Sequence, residues 1–247
     1  MTVKGIIIKE NIVGEGDKYI TLFTHELGQI QISALKSTNY KFCSVTQLFV
    51  YGIFEISKIY SRYKLINVEI ITTFYKIRED ILTLSYAMYI MDFLLEVTKE
   101  SLRQSDLFQL TLYTLHELTK SNPSLKLIRC IYELRAMRCL GFMPNTQDCT
   151  QCGNAIGELD MTKKYYFSVA DGGYTCCSSS KHRLRYDTIH TIRHILNSDY
   201  NHLYKFELLP EIYNELASFV IQYTVYHIEK SFRTLSFIRE IERILLI

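Results

Sequence analysis

The sequence predicts an α+β protein: an N-terminal β-barrel, then an α-helical domain interrupted by a small cysteine module. Three observations predict it. Apolar residues alternate at period two in the first part of the chain, then repeat at three and four from Ile77 onward. Only 3 Pro and 10 Gly occur in 247 residues, which favours long uninterrupted elements over a turn-dense all-β chain. Four of the 7 cysteines fall in one polar stretch that separates two helical blocks. With 48% apolar and 22% charged residues the chain can bury a sizeable core, so disorder is excluded.

Residues 3–9, 19–24 and 29–35 are short, β-branched runs separated by turn chemistry. Gly14, Gly16 and Asp17 fill the first gap and His25-Glu26-Leu27-Gly28 the second. Tyr19, Thr21 and Phe23 alternate with Ile20 and Leu22, which is strand periodicity. Thr46 to Ser57 and Arg62 to Phe74 supply two further extended runs. Five strands without a long helix fit a small closed barrel of the OB type over residues 1–80. A five-stranded SH3-like barrel is the competing arrangement.

The spacing of Ile81, Leu84, Met88, Met91 and Leu95 predicts the first helix, and Leu107, Leu110, Leu115 and Leu118 the second. A third runs over Leu127, Ile131, Leu134 and Met137, opened by Pro123-Ser124 and stopped by Gly141. Helical pattern returns over Ile189–Leu196, Ile212–Ile228 and a last piece from Phe232. The helical domain is thus 81–145 plus 187–247, with the inserted module at 146–186. The start of the chain has no apolar stretch long enough for a signal peptide. Ile81–Val97, the longest apolar region, is broken by Asp92 and falls short of the roughly 20 residues that span a bilayer. A cytoplasmic protein without membrane contact, its thiols reduced, is the expectation.

In the module, Cys149-Thr150-Gln151-Cys152-Gly153 is a CxxCG knuckle, followed by the adjacent pair Cys176-Cys177. A CxxC turn offers two sulfurs to one tetrahedral Zn²⁺ without strain. Tyr165, Tyr166, Phe167 and Val169 are the module's whole apolar mass, so a structural metal is a natural way to order it. Neighbouring side chains tend to point apart, so Cys177 and His182 compete as fourth ligand. A metal-free turn and a redox dithiol are the alternatives, the latter without the βαβ context it needs. Cys43, Cys130 and Cys139 lie on apolar patterns and read as small core residues.

The local sequences also resemble a known family. They are Gly5-Ile6-Ile7-Ile8, Gly14-Glu15-Gly16-Asp17-Lys18 leading into Thr21-Leu22-Phe23-Thr24, and Thr46-Gln47-Leu48-Phe49. Leu140-Gly141-Phe142-Met143-Pro144, Gly172-Gly173 before Cys176, and Tyr226 to Leu235 continue the match nearly end to end. In this order they are similar to the RecO family of bacterial recombination mediators. The resemblance implies an OB-fold, a helical domain and an inserted zinc-ribbon-like module. It implies a non-enzymatic, nucleoid-associated role: binding ssDNA and dsDNA, annealing complementary strands, and acting with RecR to load recombinase onto strands coated by single-stranded-DNA-binding protein (SSB). The helical domain is then expected to receive the SSB C-terminal tail, with Arg129, Arg135 and Arg138 among the nearby cations. Where the pattern expects GGxxCxxC, this chain has Gly172-Gly173-Tyr174-Thr175-Cys176-Cys177-Ser178-Ser179.

An OB barrel holds single strands through cations interleaved with aromatic platforms. On that basis the expected DNA contacts are Lys4, the segment with Lys36, Tyr40 and Lys41, and the hairpin with Lys58, Arg62 and Lys64. Lys181, Arg183 and Arg185 of the module offer a second basic patch. By residues alone a solvated loop explains the same pattern, and a zinc-ordered protein–protein adaptor is the competing function. Enzymatic motifs are missing: no phosphate loop, GxSxG or HExxH occurs. The formal net charge of +2 conceals a partition. Residues 1–80 carry ten cations against eight acids and 187–247 six against eight, so a near-neutral total does not exclude nucleic acid.

Overall fold

The computed structural model describes residues 1–13, 17–34, 44–60, 62–121, 124–158, 160–162, 164–177 and 182–245. The strands are β1 (Thr2–Val13), β2 (Asp17–Thr24), β3 (Gly28–Ala34), β4 (Tyr51–Ile59), β5 (Arg62–Thr72), β6 (Lys164–Ser168), β7 (Gly173–Tyr174) and β8 (His182–Arg185). The helices are α1 (Ile81–Val97), α2 (Ser105–Leu118), α3 (Leu125–Cys139), α4 (Tyr186–Asn197), α5 (Pro210–Ile228) and α6 (Arg233–Leu245). They form two compact units, Met1–Ser121 with Phe232–Ile247, and Asn122–Ser231.

In the first unit, β1 to β5 close into a barrel of order β1-β2-β3-β5-β4, with β4 returning to β1. Every pair is antiparallel except β3 with β5, where Ile32 lies beside Tyr63. This is the OB-type closure expected from the sequence. Inward residues of β3 alternate as the strand period requires, Ile30, Ile32 and Ala34 joining Ile20, Leu22, Phe54 and Ile56 in the core. The barrel is narrow where β1 meets β4: Gly5 pairs with Gly52, and a Cβ on Gly52 would stand 2.4 Å from the Glu69 carbonyl oxygen. Phe23, on the other face of β2, packs edge-on to Phe108 of α2 at 5.4 Å.

The strand expected from Thr46 begins only at Tyr51. Phe49 adopts a left-handed conformation (φ 67°) and turns fully inward beneath the Arg78 guanidinium, 5.6 Å from its ring. The Phe49 N–H donates to Ile7 O at 3.0 Å and the Ile7 N–H to Val50 O at 2.9 Å. Residues 46–50 are therefore a plug rather than a strand. Lys18, itself buried, holds the plug's start through Thr46 O at 3.4 Å and pairs with Glu10 at 2.7 Å.

After β5 a 3₁₀ turn, Tyr75–Glu79, leads to α1, which Asp80 caps by accepting the Thr83 N–H and hydroxyl, both at 2.7 Å. α6 completes this unit. Phe232 packs against Tyr89 at 5.4 Å and Phe93 at 5.8 Å, and the Tyr86 hydroxyl donates to Glu242 at 2.6 Å. No described helix is long and apolar enough to cross a membrane.

In the second unit, α3 ends as its Gly141 predicts. Gly141 has φ 86°, its N–H reaches Arg138 O, and the Phe142 N–H reaches Met137 O at 2.8 Å. Pro123, expected to open α3, lies outside the described residues. The three α3 arginines are occupied within the unit. Arg129 is buried with Glu133 at 3.3 Å, and the Thr224 hydroxyl faces the other Glu133 oxygen at 3.4 Å. Arg135 donates to the carbonyls of Ile195, Leu196 and Ser198, and Arg138 also reaches Leu196 O, so both cap the C-terminus of α4.

Candidate metal centre and nucleic-acid interface

The inserted module is a three-stranded sheet of order β7-β6-β8, covered by α5. Its core is built from Phe167, Tyr165 and Leu184, and Phe167 meets Phe219 of α5 edge-on at 5.6 Å. Sequence reasoning credited the module with its own aromatics only. Leu184 was missed because it stands alone among the cations Arg183 and Arg185, and the α5 contribution because α5 lies past the insert.

Two turns bring the cysteines together. In the first, the Gly153 N–H donates to Cys149 O and the Cys149 N–H to Asn154 O, with Gly153 at φ 75°. In the second, Asn145 organises the approach. Its side-chain oxygen accepts from Gln147 and Asp148 N–H, and its carbonyl accepts from Tyr174 N–H at 2.8 Å. A Cβ on Gly173 would stand 2.4 Å from that carbonyl, so the backbones touch only because Gly173 has none.

The sulfurs of Cys149, Cys152, Cys176 and Cys177 all lie within 4.8 Å of one another. Cys149 and Cys177 are 3.9 Å apart, Cys152 and Cys176 3.4 Å, Cys176 and Cys177 3.8 Å. A tetrahedron of thiolates about 2.3 Å from a zinc ion requires sulfur separations of about 3.8 Å. The donor set and its spacing fit a structural metal. The sulfurs of the adjacent pair do not diverge as the sequence suggested, because the chain bends at both residues. The His182 side chain lies outside the described residues.

The electrostatics are those of one anion shared among four thiols. Burial works to raise the Cys149 thiol, but the backbone N–H groups of Cys152, Cys176 and Gln151 outweigh it and bring it down to about 5. Cys177 is pushed up to about 12, because its proton is held in hydrogen bonds to Cys152, Cys176 and Cys149. Without a cation, the Cys149 thiolate favours the protonated form of Cys176 and Cys177. A divalent ion reverses that preference.

The other expected site residues divide. Lys58, Arg62 and Lys64 are exposed on the β4–β5 hairpin, where Lys58 pairs with Tyr63 on one face and Arg62 and Lys64 pair with Ile59 and Ser57 on the other. The Lys58 ammonium lies 5.0 Å from the centre of the Tyr63 ring. At the tip Tyr60, with φ 54°, is 96% exposed, the most open large apolar side chain among the described residues. It was not singled out as a contact, although its place between cations signalled one. Lys4 is exposed on β1 but pairs with Ile53, six residues along β4 from Ile59, roughly 20 Å from the tip. Lys36, Tyr40, Lys41 and Lys181 lie outside the described residues. Arg183 is exposed, its guanidinium 5.2 Å from the Tyr166 ring centre. Arg185 is drawn into ion pairs with Glu211 and Glu215 of α5.

The model of the recombination protein O N-terminal domain matches residues 1–74, and that of its C-terminal domain residues 78–236. The chain is 29% identical to the DNA repair protein RecO of Acetivibrio thermocellus, over 99% of this chain and 98% of the relative. It is 27% identical to that of Alkaliphilus metalliredigens, over 96% and 98%. With the protein of an Exiguobacterium species it shares 31% over 70% and 68%. On these matches, end to end through barrel, helices and cysteine module, the chain belongs to the RecO family of DNA repair proteins.

Proposed function

We propose that the protein is a non-catalytic DNA-repair mediator. It binds ssDNA and dsDNA, anneals complementary strands and, with RecR, loads recombinase onto SSB-coated ssDNA in the cytoplasm. One observation carries the DNA-binding part: an exposed barrel hairpin that carries Lys58, Arg62 and Lys64 and, at its tip, the open ring of Tyr60. Cations hold phosphates at a cost that rises with salt, and a tyrosine face stacks a base of any sequence. Arg183 stacked on Tyr166 repeats the pairing on the module, giving a second strand a separate foothold. Annealing requires two such places. Lys4, Lys36, Tyr40, Lys41 and Lys181 are further DNA contacts in the same reading.

Zn²⁺ held by Cys149, Cys152, Cys176 and Cys177 supplies no chemistry here; it would fix the two turns and so the sheet that presents Arg183. The occupied state of Arg129, Arg135 and Arg138 leaves the SSB tail to other cations of the chain. Titration of the full chain into a fluorescent single-stranded oligonucleotide, over a series of salt concentrations, tests the reading. Binding that weakens steeply with salt supports it. Absence of binding at low salt, with RecR still captured, would leave the adaptor function instead.

A further inference from the structure

The end of β5, the 3₁₀ turn and α2 line an open surface cavity of about 450 Å³ within the first unit. Nothing in the hairpin or the cysteine module uses it. Tyr51, Phe74, Tyr75, Lys76, Leu112 and His116 line it with three threonines, and most of its wall is apolar.

Its rim is held in an unusual backbone. Phe74, buried, takes the left-handed conformation (φ 48°, ψ 37°), which is strained for a bulky side chain and persists only when its surroundings impose it. The next residue, Tyr75, is consequently 66% exposed at the edge of the cavity.

The geometry points to a subsite for one unstacked nucleotide of a bound single strand, its base among Tyr51, Tyr75 and Leu112 and its phosphate beside Lys76 and His116. This rests on the single-strand binding proposed above. Tyrosine faces stack any base. One ammonium and one imidazole suit a single phosphate better than a run of carboxylates. The cavity lies at the Tyr51–Thr72 end of the β4–β5 pair and the basic hairpin at the Ile59–Arg62 end, eight residues apart along β4. That is roughly 27 Å, within reach of the roughly 4–16 nucleotides an OB barrel accommodates.

The probe is an oligothymidylate carrying a single 2-aminopurine, titrated into the full chain and read by fluorescence and anisotropy. Tyr75→Ala is expected to weaken binding roughly tenfold and to abolish the 2-aminopurine signal change, with Tyr75→Phe restoring both. His116→Ala is expected to weaken binding without removing the stacking signal. Circular dichroism melts of each variant identify any loss due to misfolding, which exposed Tyr75 makes simple to separate. Unchanged affinity and signal in both alanine variants, while the unaltered chain binds, overturns the subsite and leaves the DNA-binding function standing. An unaltered chain that does not bind the probe at low salt overturns both. Displacement of the probe by an acidic, phenylalanine-ended peptide, with no loss in Tyr75→Ala, assigns the cavity to a protein partner and overturns the nucleotide subsite.

Discussion

The sulfurs of Cys176 and Cys177, adjacent in sequence, lie 3.8 Å apart. Both belong to one cluster with Cys149 and Cys152. The Cys176 N–H points at the Cys149 sulfur at 3.3 Å and the Cys177 N–H at the Thr175 hydroxyl at 3.4 Å, so the backbone bends instead of extending. The second half of the site thus delivers two sulfurs without the CxxC spacing of the first.

Stoichiometric zinc is expected in the purified chain, and Cys149→Ser or Cys177→Ser is expected to lose it. Chelation should destabilise β6, β7 and β8 by on the order of several kcal/mol, because binding energy in so small a sheet is folding energy. Metal analysis together with hydrogen exchange over residues 164–185 checks both. Full zinc retention in Cys177→Ser would make a different group the fourth ligand.

The hairpin carries the salt dependence. Replacing Lys58, Arg62 and Lys64 together by Ala should reduce the slope of log affinity against log salt for single strands by about 2. Tyr60→Ala should weaken binding by about 1–3 kcal/mol with the slope unchanged, since stacking releases no counterions. Anisotropy titrations at several salt concentrations separate the two.

Arg183 and Arg185 should part company. Arg183, exposed over Tyr166, is expected to lower the salt slope when changed to Ala. Arg185, paired with Glu211 and Glu215, is expected to alter both DNA affinity and stability little. Equal losses of affinity in the two variants would show that the pairs to α5 open on DNA.

Asp92 gives a pH signature within the first unit. Burial pushes its carboxyl above the usual carboxylate range, with the Thr234 hydroxyl and then Lys9 offsetting only part of that. A carboxyl whose folded value exceeds its unfolded value costs stability at neutral pH, and the cost fades as pH falls through the folded value. Asp92→Asn should therefore raise the melting temperature at about pH 7 and leave it unchanged at about pH 3, below the unfolded value. A difference that persists in acid would assign the gain to packing.

The barrel was legible because its core follows the strand period, as Ile30, Ile32 and Ala34 do, and because glycines mark its narrow places. The plug at 46–50 was not. Phe49 and Val50 are as β-prone as any strand residue, and only tertiary burial under Arg78 holds Phe49 in a left-handed turn. The helix stop at Gly141 could be read directly, since a Schellman ending needs a glycine there. The roles of Arg135 and Arg138 could not, because the α4 carbonyls they cap lie some sixty residues further along the chain. In the module, the cysteine types were plain and their convergence was not. Spacing alone cannot show that the backbone bends between Thr175 and Cys177.

The central claim is that this chain brings two DNA strands together. Annealing of two complementary oligonucleotides, followed by fluorescence energy transfer with and without SSB coating, tests it most directly. The account predicts that the intact chain accelerates annealing in both conditions, and that the Lys58, Arg62, Lys64 triple variant does so far less. An intact, zinc-loaded chain that leaves the rate at its spontaneous value in both conditions would contradict it.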